Sequence, residues 1–217
     1  MKVKVKDNCF MKTDFETLKE LHQHYAVHNK CKLKESATQP VYEIDPPSSG
    51  ILFIGEAPGR NEDLQGRPFV GAAGKFLDEL LQIIGLTREE VYVTNIVKYK
   101  PPNNRDPSDE EKKACRVWLN SELLFVNPKV IVTLGRHALA RFVPSTNIST
   151  EHGQSFTHST GISVFAMYHP AAALYNPNLK DTMKEDFLKL KEFLKTVDKK
   201  IKKDKEKKEE INEILKM

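Results

Sequence analysis

At 217 residues, 39% hydrophobic and 29% charged, the chain has the composition of an ordinary globular protein and the length for one sizeable core. No apolar run reaches the roughly 20 residues of a membrane helix, and the opening MKVKVKDNCF has no apolar stretch of the secretory kind, so a cytoplasmic protein is expected. Three widely spaced cysteines exclude a disulfide framework, and the net charge of +4 resides in the two ends, with the body at −2, so overall basicity is no argument for a nucleic-acid partner.

Phe15, Leu18, Leu21 and Tyr25 recur at helical spacing and predict a helix over residues 14–25, with Asp14 or Thr13 as its N-cap. It leads to His28 and Cys31. Residues 36–50 hold three prolines and little period, which reads as a surface connection. Residues 51–54, ILFI, read as a buried parallel strand that breaks at once into Gly55-Glu56-Ala57-Pro58-Gly59. The stretch 51–74 organises the chain, since in an open α/β sheet ligands bind where strand ends and helix N-termini converge.

A helix through Phe76, Leu77, Leu80, Leu81 and Ile84 ends at Gly85. Residues 91–94 form a second strand with Asn95 at its tip. A polar loop follows, in which Ser108 and Glu111 have the spacing of a capping box for a helix through Cys115, Trp118, Leu119 and Leu123. Residues 129–134 make a third strand stopped by Gly135, residues 136–142 a short helix, and residues 162–167 a fourth strand broken by His169-Pro170. Phe187, Leu190, Phe193, Leu194 and Val197 stripe a last helix before a lysine-rich tail. Alternating strands and helices predict a three-layer α/β/α sandwich on a four-stranded, mostly parallel sheet, as one domain over residues 1–197 with a charged tail over 198–217.

That topology makes neighbours of the Gly55–Gly59 loop, Asn95, Gly135 and His169. Taken singly each has an ordinary reading. Asn95 could bond its own turn, His169 could be a satisfied histidine, Phe69 could be core, and Glu56, Glu62 and Asp63 could be a solvated acidic turn. Taken together they describe a pocket for a flipped base. A carboxamide reads a pyrimidine edge, an aromatic ring stacks on its face, and a histidine with backbone N–H groups stabilises an oxygen that becomes negative.

The segments GEAPGRNEDLQGRPFVGAAG, VYVTNIVK, KPPNNRDP, PKVIVTLGRHA and HPAA resemble, in order and spacing, the family 4 uracil-DNA glycosylases over roughly residues 27–194. The resemblance implies hydrolysis of the N-glycosidic bond of deoxyuridine in single- or double-stranded DNA by a monomer, as the first step of base-excision repair. It implies that Phe69 stacks on uracil, that Asn95 bonds its edge and that His169 contacts O2. Glu62 is placed near C5, where it helps to exclude thymine's methyl, and the backbone of the 55–59 loop lines the pocket. Within that frame Glu56 is the carboxylate for positioning a water, because Ala57 stands where family 1 enzymes carry an aspartate, and Leu174, beside Tyr175, is the aliphatic wedge for the opened duplex.

The family also implies a [4Fe-4S] cluster on four cysteines, and here the matching positions read His28, Cys31, Tyr99 and Cys115. Two thiolates do not make the usual ligand set. The expectation is a chain that has lost the cluster, with Tyr99 and Cys115 packed in its place, and that requires no cofactor for its chemistry; partial zinc binding by Cys31, Cys115 and His28 is the other outcome, with Cys9 a further sulphur only if the N-terminal segment folds back. A second functional class, a non-catalytic or covalently trapping relative, would carry a basic insertion with a histidine between Tyr99 and Cys115, and none stands there.

Overall fold

In the computed structural model, residues 15–144 and 147–214 are described. The expected N-caps Thr13 and Asp14, and Cys9, lie outside them. Helix α1 is Leu18–His28, and its cap is Thr17, whose hydroxyl accepts from Glu20 N–H while the Glu20 carboxylate accepts from Thr17 N–H. The helix therefore starts four residues later than its apolar spacing predicts. Strand β1 (Ile51–Gly55) leads through the short helix α2 (Arg60–Gln65) to α3 (Ala72–Ile84), which Gly85 closes at φ 80°. Glu62 and Asp63, expected in a loop, are thus on a helix. Strand β2 (Tyr92–Asn95) is followed by α4 (Asp109–Val126), where Ser108 and Glu111 form the anticipated capping box. Then come β3 (Val130–Leu134), α5 (Arg136–Phe142), α6 (Ile148–Glu151), β4 (Ser155–Thr157), β5 (Ser163–Met167), α7 (Ala172–Tyr175) and α8 (Leu179–Ile214).

The sheet has five strands rather than four, in the order β2-β1-β3-β5-β4, and every pair is parallel except β4 against β5. The extra strand is a three-residue antiparallel edge whose side chains are largely exposed, so it carries no apolar signal. Side-chain alternation divides the core into two layers. Phe53, Val93, Val132 and Phe165 face α3 and α8, while Leu52, Ile54, Tyr92, Ile131 and Val164 face α1, α4 and α5. Helix α8 does not stop where its apolar stripe ends. It continues through the charged segment to Ile214, exposed for almost all of its length beyond Ile201.

The parallel register aligns the tips that matter. Gly55 pairs with Asn95, and beyond the strands Ile96 N–H and Val97 N–H donate to the Gly55 and Glu56 carbonyls at 3.0 and 3.2 Å. The loops after β1 and β2 are therefore tied side by side. Gly135 N–H donates to Met167 O at 2.8 Å, which brings the tip of β3 to the start of the His169 segment.

Candidate active site

At these tips lies a cavity of about 230 Å³ lined by Ala57, Gly59, Glu62, Phe69, Ala73, Asn95, Asn104, His169, Ala171 and Tyr175. It is smaller than the roughly 300–1,000 Å³ of sites for drug-sized ligands, a size that suits one small heterocycle. Asn95 is 2% exposed, and its Oδ1 is buried without a hydrogen-bond partner. A carboxamide acceptor left bare in a protein interior costs free energy that a ligand N–H recovers. The side chain is aimed from a fixed backbone, because the Asn95 carbonyl accepts from the buried Lys98 ammonium at 3.0 Å. Gly55 must be glycine here, since a Cβ would stand 2.7 Å from the Phe69 ring and closer still to Asn95 Oδ1.

Phe69 is buried at φ 54°, a conformation that costs a non-glycine residue free energy and marks a site held from outside. Arg88 holds it. Its guanidinium donates to the Phe69 carbonyl at 2.5 Å and is paired with Asp78 at 3.3 Å. Gly74 gives the same carbonyl its room, because any side chain there would collide with it. The Phe69 ring lies 5.4 Å from the His169 imidazole, tilted by 30°.

His169 Nδ1 accepts from Ala171 N–H at 3.1 Å, so in the neutral ring the proton sits on Nε2. Burial lowers its pKa to about 4 and keeps the ring neutral. It is a neutral N–H donor. Of the loop amides expected to help it, Gly59 N–H is already committed to Glu62 Oε2 at 3.1 Å, while Glu62 Oε1 accepts from Gly71 N–H at 2.8 Å. Glu62 therefore lines the pocket as a clamp joining the two loops that flank Phe69.

Three residues expected to bind substrate stand elsewhere. Asp63 is buried away from the cavity, because it accepts from Thr38 N–H and Thr38 O–H at 2.9 and 2.7 Å and so anchors the 36–50 connection. Pro58 is buried beneath the loop. Leu174, 46% exposed, is outside the cavity wall, whereas its neighbour Tyr175, 90% exposed, stands at the mouth. Glu56 is not in the wall either. Its half-buried carboxylate lies 3.5 Å from His137 Nε2, beside Asp106, and burial raises its pKa. Reading the sequence missed Ala73, Asn104 and His137. Asn103 and Asn104, both at positive φ in a PPNN run, are the turn signal that singles out the second of these.

Several observations now converge on one chemistry: an unpartnered carboxamide acceptor, a ring held under strain and a neutral imidazole N–H around a base-sized cavity. The Uracil DNA glycosylase superfamily profile matches residues 42–195. The chain belongs to that superfamily. It is similar to the type-4 uracil-DNA glycosylase of Sulfurisphaera tokodaii, 44% identical over 188 residues that cover 82% of this chain and 85% of the relative. The type-4 enzyme of Archaeoglobus fulgidus is 44% identical over 187 residues, 82% and 94% of the two chains, and that of Saccharolobus solfataricus 45% over 174, 76% and 81%.

Type-4 membership raises the question of an iron–sulphur cluster, and the residues at its expected place do not fit one. Cys31 and Cys115 are buried against each other; the Cys115 thiol donates to Cys31, lowering the Cys31 pKa and raising that of Cys115. Tyr99 is 1% exposed, its ring edge-on to Trp118 at 6.1 Å and its phenol donating to Ala26 O at 3.3 Å. Burial and the adjacent cysteines push the Tyr99 pKa up to about 12, so it is no phenolate ligand. His28 is exposed on α1, stacked on His24 and bonded to the His24 carbonyl at 2.8 Å. Among the described residues the one gathering of three or more candidate metal ligands is Glu56, Asp106 and His137, not this place. A larger cleft of about 680 Å³ beside it, lined by His24, His28, Lys113 and Arg116, lies between α1 and α4 rather than at the strand tips.

Proposed function

We propose that the protein hydrolyses the N-glycosidic bond of deoxyuridine in DNA, with Phe69, Asn95 and His169 as the base pocket and Glu56 at its mouth. The observation that carries this reading is the bare Asn95 Oδ1 in a cavity walled by Phe69 and His169. Uracil offers an imide N–H to that acceptor, and cytosine has no such proton, so the two bases are told apart by one atom. As the C1′–N1 bond breaks, its electron pair leaves with the base and charge develops on O2, where a neutral His169 Nε2–H donates without first having to lose a proton. Water adds to the electron-poor C1′ and gives its proton to Glu56. A carboxylate for that task belongs at the rim, where the sugar stays when the base is inside, and Glu56 is at the rim.

Thymine is excluded by the loop that Glu62 clamps, since stacking and the imide bond are the same for both bases. Leu174 fills the gap left in the duplex, with Tyr175 at the pocket mouth. DNA is engaged in either strand state by a monomer, and no cluster is held by the Cys31, Tyr99 and Cys115 corner. The test is incubation of the purified protein with a uracil-containing oligonucleotide, followed by alkali. Cleavage at uracil is expected without added metal, and reduced at least roughly tenfold in Asn95→Ala and in His169→Ala. Undiminished cleavage by either folded variant overturns the pocket assignment.

A further inference from the structure

The proposed mechanism leaves one cluster at the strand tips unexplained. His137, in the first turn of α5, places Nε2 3.0 Å from Asp106 Oδ2, in the loop after β2, and 3.5 Å from Glu56 Oε1, in the loop after β1. One imidazole nitrogen thus bridges two carboxylates carried by separate loops. Arg136 closes the cluster, its Nη2 donating to the same Asp106 oxygen at 2.7 Å while its Nε lies 3.0 Å from His137 Nε2. Two carboxylates on one nitrogen favour a proton there, and Asp106 satisfies Arg136. The side chains of Glu56 and His137 are 25% and 20% exposed, so their interaction is only partly screened by solvent.

We propose that His137 is a positioning residue for Glu56: as an imidazolium between Glu56 and Asp106 it fixes the Glu56 carboxylate and keeps it ionised to take a proton from water. The inference rests on the reading of Glu56 given above. Burial is the largest influence on Glu56 and opposes ionisation, as does Asp106, whereas His137, Arg136 and the more distant Lys112 favour it. Asp109 also faces His137. Of these groups only His137 is within ion-pair distance of Glu56. Its loss leaves burial and a like charge in control.

The experiment is the pH dependence of single-turnover uracil release from a single-stranded oligonucleotide, a substrate that removes base extrusion from the measurement. Glu56→Gln should abolish the acid limb of the profile, leaving a slow, pH-independent rate. His137→Gln keeps an N–H in place but no charge. It should move the acid limb upward by about one pH unit, the low end of the shift expected for a charge at this distance. Asp106→Asn removes the like charge and frees Arg136, and should move the limb downward. A folded His137→Gln whose rate falls equally at all pH values, or an Asp106→Asn shift in the same direction as His137→Gln, overturns the proposal for His137. An acid limb that survives Glu56→Gln overturns the reading of Glu56 instead, so the two failures are told apart.

Discussion

Asn95 stands between two polar sites built in opposite ways. Behind it, on the α1 and α4 side of the sheet, Lys98 is fully buried and donates to Glu122, Thr94 and the Asn95 carbonyl, while Glu122 also accepts from Tyr92 O–H at 3.2 Å. Trp118 Nε1–H donates to His22 Nδ1 at 2.8 Å, which leaves His22 Nε2–H for the Tyr92 oxygen at 3.1 Å. Every member has a partner. In front of Asn95 the arrangement is reversed, with a bare Oδ1, a Phe69 backbone at positive φ and a His169 whose Nδ1 is occupied so that Nε2–H is offered to the cavity. The closed network fixes a backbone, and the open site exposes groups that only a ligand can satisfy. Stability and recognition are thereby assigned to the two sides of one residue.

The comparison is broken most severely on the closed side. Lys98→Met leaves the Glu122 carboxylate buried without its cation and should lower the unfolding free energy by about 3–5 kcal/mol in urea titrations, whereas Lys98→Met with Glu122→Leu should recover most of the loss. A double variant as unstable as the single would mean that packing, not charge pairing, holds this region. On the open side Asn95→Ala should slow uracil release by about 10²–10³-fold and leave the urea midpoint nearly unchanged, because the atom removed had no partner to lose. If Asn95→Ala unfolds as readily as Lys98→Met, the two sides are not distinct.

Arg88→Met releases the Phe69 carbonyl and should cost about tenfold in kcat/KM, equivalent to about 1.4 kcal/mol of the strain that the guanidinium offsets. The loss is expected in both kcat and KM, since the ring meets the base in ground and transition states alike. Titration sharpens the contrast further. Burial depresses the pKa of His22 to about 3 and of His169 to about 4, so both rings stay neutral in the fold while the unfolded chain protonates near the model value of 6.5. The unfolded state then binds more protons, and stability is fully present above pH 6.5 and falls as pH drops towards 3. His22→Gln should flatten that decline more than any change in the pocket. The smallest effect is expected from Leu174→Ala, a few-fold slower on duplex than on single-stranded uracil; an equal loss on both would place Leu174 in packing alone.

Much of this was legible because apolar pattern and topology determine where strand tips fall. Gly55, Asn95, Gly135 and His169 are recognisable as tips from the residues around them, and Phe69 and Glu62 from the motif that carries them. What pattern does not encode is side-chain direction. Glu62 and Asp63 are adjacent on α2, yet one clamps the cavity and the other bonds Thr38, because successive helical residues point about 100° apart. His137 escaped notice for a related reason, since its partners come from loops 81 and 31 residues earlier in the chain. Strand β4 was missed because an exposed edge needs no apolar alternation. The tail was divided from α8 at Val197 because the apolar stripe stops there, but lysine and glutamate propagate a helix without a core to face.

That last feature has a thermal consequence. At 1.5 Å per residue the 36 residues of α8 extend about 54 Å, and the packed portion ends near Ile201 with contacts to the α3 side of the core. Beyond it the helix has only its own backbone bonds and neighbouring charges such as Lys202 and Glu206, 3.9 Å apart. A segment of about a dozen residues with local support alone is marginal as a helix in water. It should fray on warming, end first, well below the cooperative melt. Helical circular dichroism is expected to decline with a steep linear slope before the transition, while Trp118 fluorescence from the closed core stays flat until the whole domain unfolds.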